Sequence, residues 1–263
     1  MSDFSLIETM RWEPGTGIVR LRLHLARLKR SAGRLGFLGA DKAAEKLAEV
    51  LGESLPPSAL SGISPSRGEI TESQSRLRGD SDLISPLEGE MSAGPTEGGN
   101  PIKTTTGTTA LRVRLTLSPT GEIAITTAPF SPLPEEIVWR VALASARLDS
   151  TNRLLRHKTT RRDIYEAARK EYPAEIADEV LLLNEKNEPC EGTITSIFLD
   201  DGSGTLKTPP IACGLLAGVL RSELICARRA RIQHLTLPDL QTGTLYMGNS
   251  LRGLIRAKLL TGD

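Results

Sequence analysis

A long polar segment in the first half of the chain constrains the fold most. From about Ser54 to Thr109 the sequence is rich in Ser, Pro, Gly, Thr and Glu and has few large apolar residues. The run at 63–69 (Ile-Ser-Pro-Ser-Arg-Gly-Glu) recurs in altered form at 84–90. Such a segment buries too little apolar surface to offset the entropy of ordering it, and two copies without apolar positions cannot stack as a solenoid. We therefore predict a disordered insertion at about 54–109, and a fold built from the residues on either side of it.

The flanking residues carry the patterns of both strands and helices. Residues 4–12 are predicted to form a strand, and residues 18–23 a returning strand that runs into a helix ending at Gly36. After the insertion, apolar and polar residues alternate through 111–117, as in a half-buried strand. The remaining chain mixes short strands with a few helices and shows little βαβ alternation. The predicted fold class is therefore α+β, with a smaller N-terminal domain at 1–130 and a larger C-terminal domain at 135–263.

Composition and charge argue against several classes of function. The formal net charge is +1 and 3% of the residues are aromatic, so we expect neither a nucleic-acid partner nor a membrane partner. The three cysteines, Cys190, Cys213 and Cys226, form no Cys-x-x-Cys pair, which fits a reducing compartment and gives no metal-site spacing. The first residues lack a basic region followed by an apolar run, and no apolar stretch approaches ~20 residues. We therefore expect a cytoplasmic protein.

Two short motifs in the second half of the chain contain candidate catalytic groups. In Arg156–Arg162 (Arg-His-Lys-Thr-Thr-Arg-Arg), Lys158 lies in a polar run between predicted helices rather than on a solvated helix face. In Glu191–Phe198 (Glu-Gly-Thr-Ile-Thr-Ser-Ile-Phe), Glu191 is predicted to stand at the entry to a strand. Taken singly, the lysine is most simply a surface charge and the glutamate a turn residue. Their order and spacing make the pair informative.

Two further motifs suit an anionic group such as phosphate. Gly214–Arg221 is predicted to open a helix with small residues, and a helix N-terminus offers free N–H groups and a favourable dipole to an anion. His24–Leu28, on the first predicted helix, contains Arg27, and a guanidinium can contact phosphate oxygens in a bidentate manner. His24 itself is predicted to be a structural partner rather than an acid or base.

Together these motifs resemble the cofactor site of the class IV, or fold type IV, pyridoxal-phosphate (PLP) enzymes. That family includes D-amino-acid aminotransferases, branched-chain aminotransferases and aminodeoxychorismate lyases. The resemblance implies a D-amino-acid aminotransferase-like fold, pyridoxal 5'-phosphate as the cofactor and no metal in the site. It implies that Lys158 is the catalytic residue, which binds the cofactor as a Schiff base and moves the Cα proton. It implies that Glu191 faces the pyridine nitrogen. Six residues are implied to bind at the phosphate end: Arg27, Gly218, Val219, Leu220, Asn249 and Ser250.

The resemblance leaves the substrate open. The short chain and its Lys-Thr-Thr-Arg run look closest to aminodeoxychorismate-lyase-like members, which act in folate biosynthesis, and a branched-chain aminotransferase is a close alternative. The sequence departs from the family at Ser196, where Asn is usual, at Ala217, where Pro is common, and in a shorter stretch before the first strand. Cofactor binding therefore transfers better than substrate specificity, and a non-catalytic PLP-binding or scaffold protein is the alternative of a different class. The family also implies a homodimer that binds a small amino-acid or aminodeoxychorismate substrate.

Overall fold

The structure, a computed structural model, describes residues 4–52 and 109–260. The insertion predicted at about 54–109 lies outside the described residues, except for its last residue, Thr109. On its two sides the chain leaves a helix that ends at Leu51 and enters a strand that begins at Leu111. The described residues form a mixed architecture of helices and two sheets, which confirms the predicted α+β class.

The first sheet has four antiparallel strands in the order β2-β1-β3-β4. Their bounds are β1 Leu6–Glu13, β2 Gly17–Ile18, β3 Leu111–Leu117 and β4 Ile123–Pro129. Helices α1 (Leu21–Leu35) and α2 (Ala43–Leu51) pack against one face, where Val113 and Leu115 are fully buried. Because side chains alternate along a strand, the other face of β3 presents Arg112 and Arg114.

The second sheet has eight strands in the order β10-β9-β8-β11-β12-β5-β6-β7. Their bounds are β5 Val138–Leu148, β6 Glu179–Asn184, β7 Pro189–Gly192, β8 Ser196–Asp200, β9 Leu206–Thr208, β10 Ala230–Ile232, β11 Thr244–Asn249 and β12 Gly253–Leu259. Strand β5 pairs in parallel with β6 and β12, as does β9 with β10. An additional pairing of β7 with β8, Glu191 opposite Ser196, closes six of the strands into a ring.

The ring separates two apolar layers. Alternate residues of its strands, such as Leu181, Ile197 and Met247, pack together as one core cluster. The intervening residues face helices outside the ring, with Leu182 in a cluster beside α3 and Phe198 in one beside α4. These outer helices are α3 Asp163–Lys170 and α4 Val219–Cys226, whereas α5 Leu237–Thr242 contributes Leu240 to the first cluster.

Here one strand prediction is wrong and one helix was missed. The strand expected at 18–23 ends at Ile18, because Arg20 adopts the left-handed conformation (φ 61°) and the helix α1 begins immediately after it. Helix α5 has no counterpart in the sequence-based prediction, although Thr236 and Asp239 form a capping box at its start. The two sheets come from residues 6–129 and 138–259, while the division into two domains at 1–130 and 135–263 stays a prediction. Within the described residues, no helix has the length and apolar composition needed to cross a membrane.

Candidate active site

A cavity of about 550 Å³ lies between the two sheets and brings the predicted site residues together. It is lined by β1, α1 and β3 on one side and by the loops and strand ends of the ring on the other. All eight residues implied by the sequence line this cavity: Arg27, Lys158, Glu191, Gly218, Val219, Leu220, Asn249 and Ser250. Their roles stay predictions, and their geometry follows.

Lys158 lies in an extended segment that pairs with the open edge of β1. The Ile7 N–H donates to the Lys158 carbonyl at 2.9 Å, and the Thr160 N–H donates to the Ser5 carbonyl at 2.9 Å. Leu6 and the residue after the lysine form the bridge between these two bonds. This pairing ties the segment to the first sheet and fixes the backbone from which the lysine side chain reaches the cavity.

The Lys158 amine is electrostatically unusual. Burial lowers its pKa to about 7, and the charges of Arg27 and Arg162 act in the same direction, against Glu8 and Glu191. Within the described part of the chain the amine has charged neighbours but no hydrogen-bond partner. Since an amine attacks a carbonyl carbon only in its neutral form, this environment prepares Lys158 for covalent attachment near neutral pH.

The strand expected to follow Glu191, at 192–199, does not begin there, because a buried carboxylate folds its first residues into a turn. Strand β7 ends at Gly192 and β8 begins at Ser196. Between them, Glu179 accepts hydrogen bonds from the N–H and hydroxyl of Thr193, from the Ile194 N–H and from the Thr195 hydroxyl, at 2.5–3.2 Å. Sequence reasoning missed this role of Glu179, and the available signal was a glutamate at the start of an apolar run.

The same turn explains the glycine in the Glu-Gly-Thr motif. A Cβ on Gly192 would lie 2.8 Å from the Glu179 carboxyl group and would collide with the Thr195 hydroxyl. Glycine therefore lets the chain close tightly after Glu191. As a result, Glu191 lies within β7 rather than at the entry to a strand, and it is 5% exposed.

The Glu191 carboxylate accepts two hydrogen bonds. The Tyr165 hydroxyl donates to Glu191 Oε1 at 2.7 Å, and the Leu216 N–H donates to Oε2 at 3.2 Å. Burial raises the pKa of Glu191 to about 7, and these two bonds and the charges of Lys158 and Arg162 limit the rise. Burial and the facing carboxylate also raise the pKa of Tyr165, so the phenol stays protonated and donates. Sequence reasoning missed Tyr165, which lies 26 residues before its partner.

The N-terminus of α4 forms one end of the cavity. Gly218 is the N-cap residue, and the first intrahelical bond runs from the Ser222 N–H to its carbonyl. The N–H groups of the first turn, including those of Val219 and Leu220, therefore have no carbonyl within the helix to bind. A Cβ on Gly218 would lie 2.6 Å from Ser196 Oγ. The backbone here is thus closely packed against β8, and its free N–H groups suit an anion.

Arg27 and His24 share one buried carboxylate, Glu8. Arg27 Nε and Nη2 donate to Glu8 at 2.9 and 2.5 Å, and Nη1 donates to the Ala217 carbonyl at 3.4 Å. These bonds use three of the five guanidinium N–H groups and leave two for a ligand. Burial by itself would raise the pKa of Glu8, but the charge of Arg27 and the hydrogen bond of His24 outweigh it and hold the pKa at about 2. Glu8 was missed from the sequence, although a charged residue on the apolar face of β1 was visible there.

His24 links this carboxylate to Ser250. Its Nδ1 lies 2.6 Å from Glu8 Oε2 and its Nε2 lies 2.8 Å from Ser250 Oγ. Burial lowers the pKa of His24, so the ring is neutral, and the ionised carboxylate requires the proton on Nδ1. Nε2 then accepts from the Ser250 hydroxyl. In this arrangement the Ser250 hydroxyl directs its proton to His24, while the structural role of His24 stays a prediction.

The turn after β11 is held by Asn249. Its Oδ1 accepts from the N–H groups of Leu251 and Arg252 at 3.1 and 2.9 Å, and its Nδ2 donates to the Ile194 carbonyl at 3.3 Å. Asn249 thus fixes the turn that carries Ser250, and these bonds use one of the two N–H donors of its amide.

Besides Arg27, six arginines line the cavity and were not predicted as site residues: Arg112, Arg114, Arg147, Arg161, Arg162 and Arg252. Burial lowers the pKa of Arg114, and the charges of Arg162 and Arg112 lower it further. Burial and the charge of Arg112 likewise lower the pKa of Arg252. These guanidinium groups therefore repel one another across a common space. The alternation of Arg112 and Arg114 on β3 was the available sequence signal.

Comparison with known proteins places the chain in a family. Residues 91–260, more than half of the chain, match the model of the amino-transferase class IV family. The crystal structure of a presumed amino-acid aminotransferase from Mesorhizobium loti is 41% identical, with a TM-score of 0.75 over 98% of this chain and 100% of that one. No protein with a curated description matches this chain.

Two more distant crystal structures share the fold. A presumed 4-amino-4-deoxychorismate lyase from Legionella pneumophila is 18% identical, with a TM-score of 0.65 over 98% of this chain and 83% of that one. A presumed branched-chain amino acid aminotransferase from Thermotoga maritima is 18% identical, with a TM-score of 0.67 over 98% and 77%. At this identity they support the fold alone. The chain belongs to the amino-transferase class IV family and is an enzyme of that family.

Proposed function

We propose that this enzyme binds pyridoxal 5'-phosphate and uses it to act on the amino group of an anionic amino acid or amino-chorismate substrate. The observation that carries the proposal is the meeting of Lys158 and Glu191 in one cavity that is also lined by the N-terminus of α4. Each of the two side chains has a pKa of about 7, because burial disfavours its charged form. Perturbed titrating groups in a shared cavity are typical of catalytic sites.

The residues at the two ends of the cavity fit the two ends of this cofactor. The phosphate end suits the free N–H groups of Val219 and Leu220, the two remaining donors of Arg27 and the closely packed backbone at Gly218. The ring end suits Glu191, whose carboxylate can hold a proton on the pyridine nitrogen. When bound, the cofactor supplies a carbonyl that condenses with amines and a ring that withdraws electrons from the substrate Cα.

The chain's own residues then perform the proton chemistry. Lys158 would take up the substrate Cα proton on its Nζ, and its pKa of about 7 suits both uptake and return of that proton. Glu191 would stay ionised beside a protonated ring nitrogen, since that opposite charge favours the carboxylate. Tyr165 orients the Glu191 carboxylate through its 2.7 Å hydrogen bond.

Replacing the lysine tests the proposal directly. Lys158→Ala is expected to abolish turnover while the fold stays intact. It should also abolish the covalent attachment of the cofactor that borohydride reduces to a stable amine. Lys29→Ala, at an exposed position on α1, is the matched control and should retain both. Mass spectrometry after reduction locates the modified residue. A cofactor adduct that persists in the Lys158 variant would reject the assignment.

The arginines of β3 and Arg252, which line the cavity, favour a substrate with more than one carboxylate. Arg112, Arg114 and Arg252 concentrate positive charge in a partly buried space, and a polyanionic ligand would relieve the resulting repulsion. A dicarboxylic amino acid or 4-amino-4-deoxychorismate meets this requirement, whereas an aliphatic branched-chain amino acid carries one carboxylate only. In this proposal the cofactor's phosphate is bound by other groups of the cavity, the N-terminus of α4 and Arg27.

A panel of amino donors plus 4-amino-4-deoxychorismate distinguishes these substrates. We expect Arg114→Met to raise KM for dicarboxylic substrates at least 10-fold, the effect of losing one ~1.4 kcal/mol charge contact, with a smaller change for aliphatic amino acids. Arg256→Met, at an exposed position on β12, controls for general charge removal.

Preference for aliphatic donors in the unaltered enzyme would favour a branched-chain aminotransferase. A cofactor absorption band that no amine shifts would favour a non-catalytic PLP-binding protein. Sedimentation analysis tests the proposed homodimer.

A further inference from the structure

Three metal-ligating side chains of different kinds meet outside the active-site cavity. Glu188 lies in the turn between β6 and β7, Cys213 ends the 3₁₀ helix Ile211–Cys213, and His234 follows β10. One ligand atom from each lies within 4.8 Å of the other two. None of the three is among the residues that line the cavity.

We propose that Glu188, Cys213 and His234 bind a divalent transition-metal ion, with Zn²⁺ as the best fit and water completing a four-coordinate site. A carboxylate oxygen, a thiolate sulfur and an imidazole nitrogen are all ligands that Zn²⁺ accepts. The thiolate disfavours Mg²⁺ and Ca²⁺, which bind through oxygen. With one thiolate, one carboxylate and a neutral imidazole, the complex with a divalent ion carries no net charge.

The distances between the ligand atoms suit a tetrahedral ion. Cys213 Sγ lies 3.7 Å from His234 Nδ1, and bond lengths of about 2.3 Å to sulfur and about 2.05 Å to nitrogen put these atoms about 3.5 Å apart in a tetrahedral zinc site. His234 Nδ1 lies 2.9 Å from Glu188 Oε1, the distance of a hydrogen bond. That pair would open to about 3.3 Å around the ion, which the exposed histidine permits.

Asn184 orients two of the three ligands. Its side chain is fully buried, and Nδ2 donates to Glu188 Oε2 at 2.7 Å and to the Cys213 carbonyl at 3.1 Å. Its Oδ1 accepts from the Glu188 N–H at 2.9 Å. Glu188 Oε2 is therefore occupied, and Oε1 is directed at His234. Outer hydrogen bonds of this kind fix ligands in metal sites.

Metal binding would displace the proton of Cys213. Burial raises the pKa of this thiol to about 12, and the carboxylate of Glu188 adds to the rise, so without a metal the sulfur is protonated and a poor nucleophile. On binding, the S–H bond breaks, a metal–sulfur bond forms and the proton leaves to solvent. No oxidant or reductant is needed.

A metal at this site would also stabilise the segment from Cys213 to Leu216, which leads to the active-site cavity. Cys213 precedes Gly214, whose φ is +92° and whose Cβ position lies 2.7 Å from the Ser150 backbone. Three residues after the cysteine, the Leu216 N–H donates to Glu191. A metal would join this segment to the β6–β7 turn and to the loop after β10.

Cobalt provides the test, because Co²⁺ occupies zinc sites and reports its ligands in the absorption spectrum. The holoenzyme, freed of metal with a chelator, is titrated with Co²⁺ and recorded as a difference spectrum against the same sample before addition. We expect one equivalent to give a thiolate-to-cobalt charge-transfer band and the visible bands of tetrahedral cobalt, both removed by Zn²⁺. Absence of these bands in the unaltered protein would overturn the proposal.

Variants assign the ligands. His234→Gln, at a side chain that is 65% exposed, should leave the fold intact and weaken Zn²⁺ affinity by more than the ~10–100-fold lost with an outer hydrogen-bond partner. Cys213→Ser should remove the charge-transfer band, and Cys226→Ser, at an exposed thiol, should retain it. Unchanged affinity in the His234 variant, or loss of the band in the Cys226 variant, would overturn the site.

Discussion

Replacing Lys158 by methionine is expected to stabilise the cofactor-free protein near neutral pH while abolishing its activity. The folded structure holds this amine at a pKa of about 7, chiefly through burial, whereas its ordinary value is 10.5. Between these two values the unfolded chain binds more protons than the folded protein, so stability rises with pH. Methionine has a similar length, carries no charge and removes the effect.

The magnitude follows from the two pKa values. At about 1.4 kcal/mol per pKa unit, the buried amine lowers the free energy of unfolding by about 4 kcal/mol at pH 7 and by about 2 kcal/mol at pH 9. The effect disappears above the ordinary pKa of 10.5. Because the side chain is partly exposed to the open cavity, we expect about half of each value. The variant should therefore gain roughly 2 kcal/mol at pH 7 and roughly 1 kcal/mol at pH 9.

Urea unfolding of the two cofactor-free proteins at both pH values measures this difference. Lys29→Met, at an exposed position on α1, is the control and should change stability by less than about 0.5 kcal/mol at either pH. The reasoning is refuted if the Lys158 variant is no more stable than the unaltered protein at pH 7. It is equally refuted if a gain at pH 7 persists undiminished at pH 9.

Three further substitutions test the surrounding residues. Arg27→Ala is expected to weaken PLP affinity more than it slows turnover at saturating cofactor, because a contact far from the reacting carbon contributes uniform binding; unchanged affinity in a fluorescence titration would remove Arg27 from the phosphate end. Gly218→Ala should lower PLP affinity, since the new Cβ would lie 2.6 Å from Ser196 Oγ, and adding Ser196→Ala should restore part of it, with the Ser196 variant alone as control; full affinity in the Gly218 variant would contradict the close packing. Glu8→Gln should lower the free energy of unfolding above pH 4.5, where the Glu8 carboxylate, with its pKa of about 2, is fully ionised. In urea unfolding, the difference in free energy of unfolding between the two proteins should narrow by about 2 kcal/mol between pH 6 and pH 3. A constant difference would contradict that pKa.

The residues that line the cavity could be predicted from the sequence because their motifs are short and act partly through the backbone. Gly218 can be inferred from a local pattern that opens a helix, and Glu191 from a run in which glycine and threonine follow a carboxylate. Their partners lie elsewhere in the chain. Tyr165 reaches Glu191 across 26 residues and Glu8 reaches Arg27 across 19, and such pairings depend on the tertiary fold rather than on spacing.

The errors in the fold have the same origin. The turn between β7 and β8 was predicted as strand because its threonines and isoleucine favour strands locally. The long-range hydrogen bonds of Glu179 override that preference. The left-handed Arg20 that starts α1 early is also a conformation that few non-glycine residues adopt, and no local pattern indicates it.

Two buried carboxylates in neighbouring strands show how the fold separates structure from chemistry. Glu179 accepts five hydrogen bonds, from the N–H of Val180 and from four donors of its turn, and an ionised carboxylate has about four lone pairs. It is saturated and has no capacity for a ligand. Glu191 accepts two bonds and lines the cavity, so it retains acceptor capacity for a proton on a bound ring. Burial alone does not distinguish the two side chains, since both are almost fully buried. The number of hydrogen-bond donors does, since Glu179 is saturated by its turn and Glu191 keeps acceptor capacity that the proposed ring contact would use.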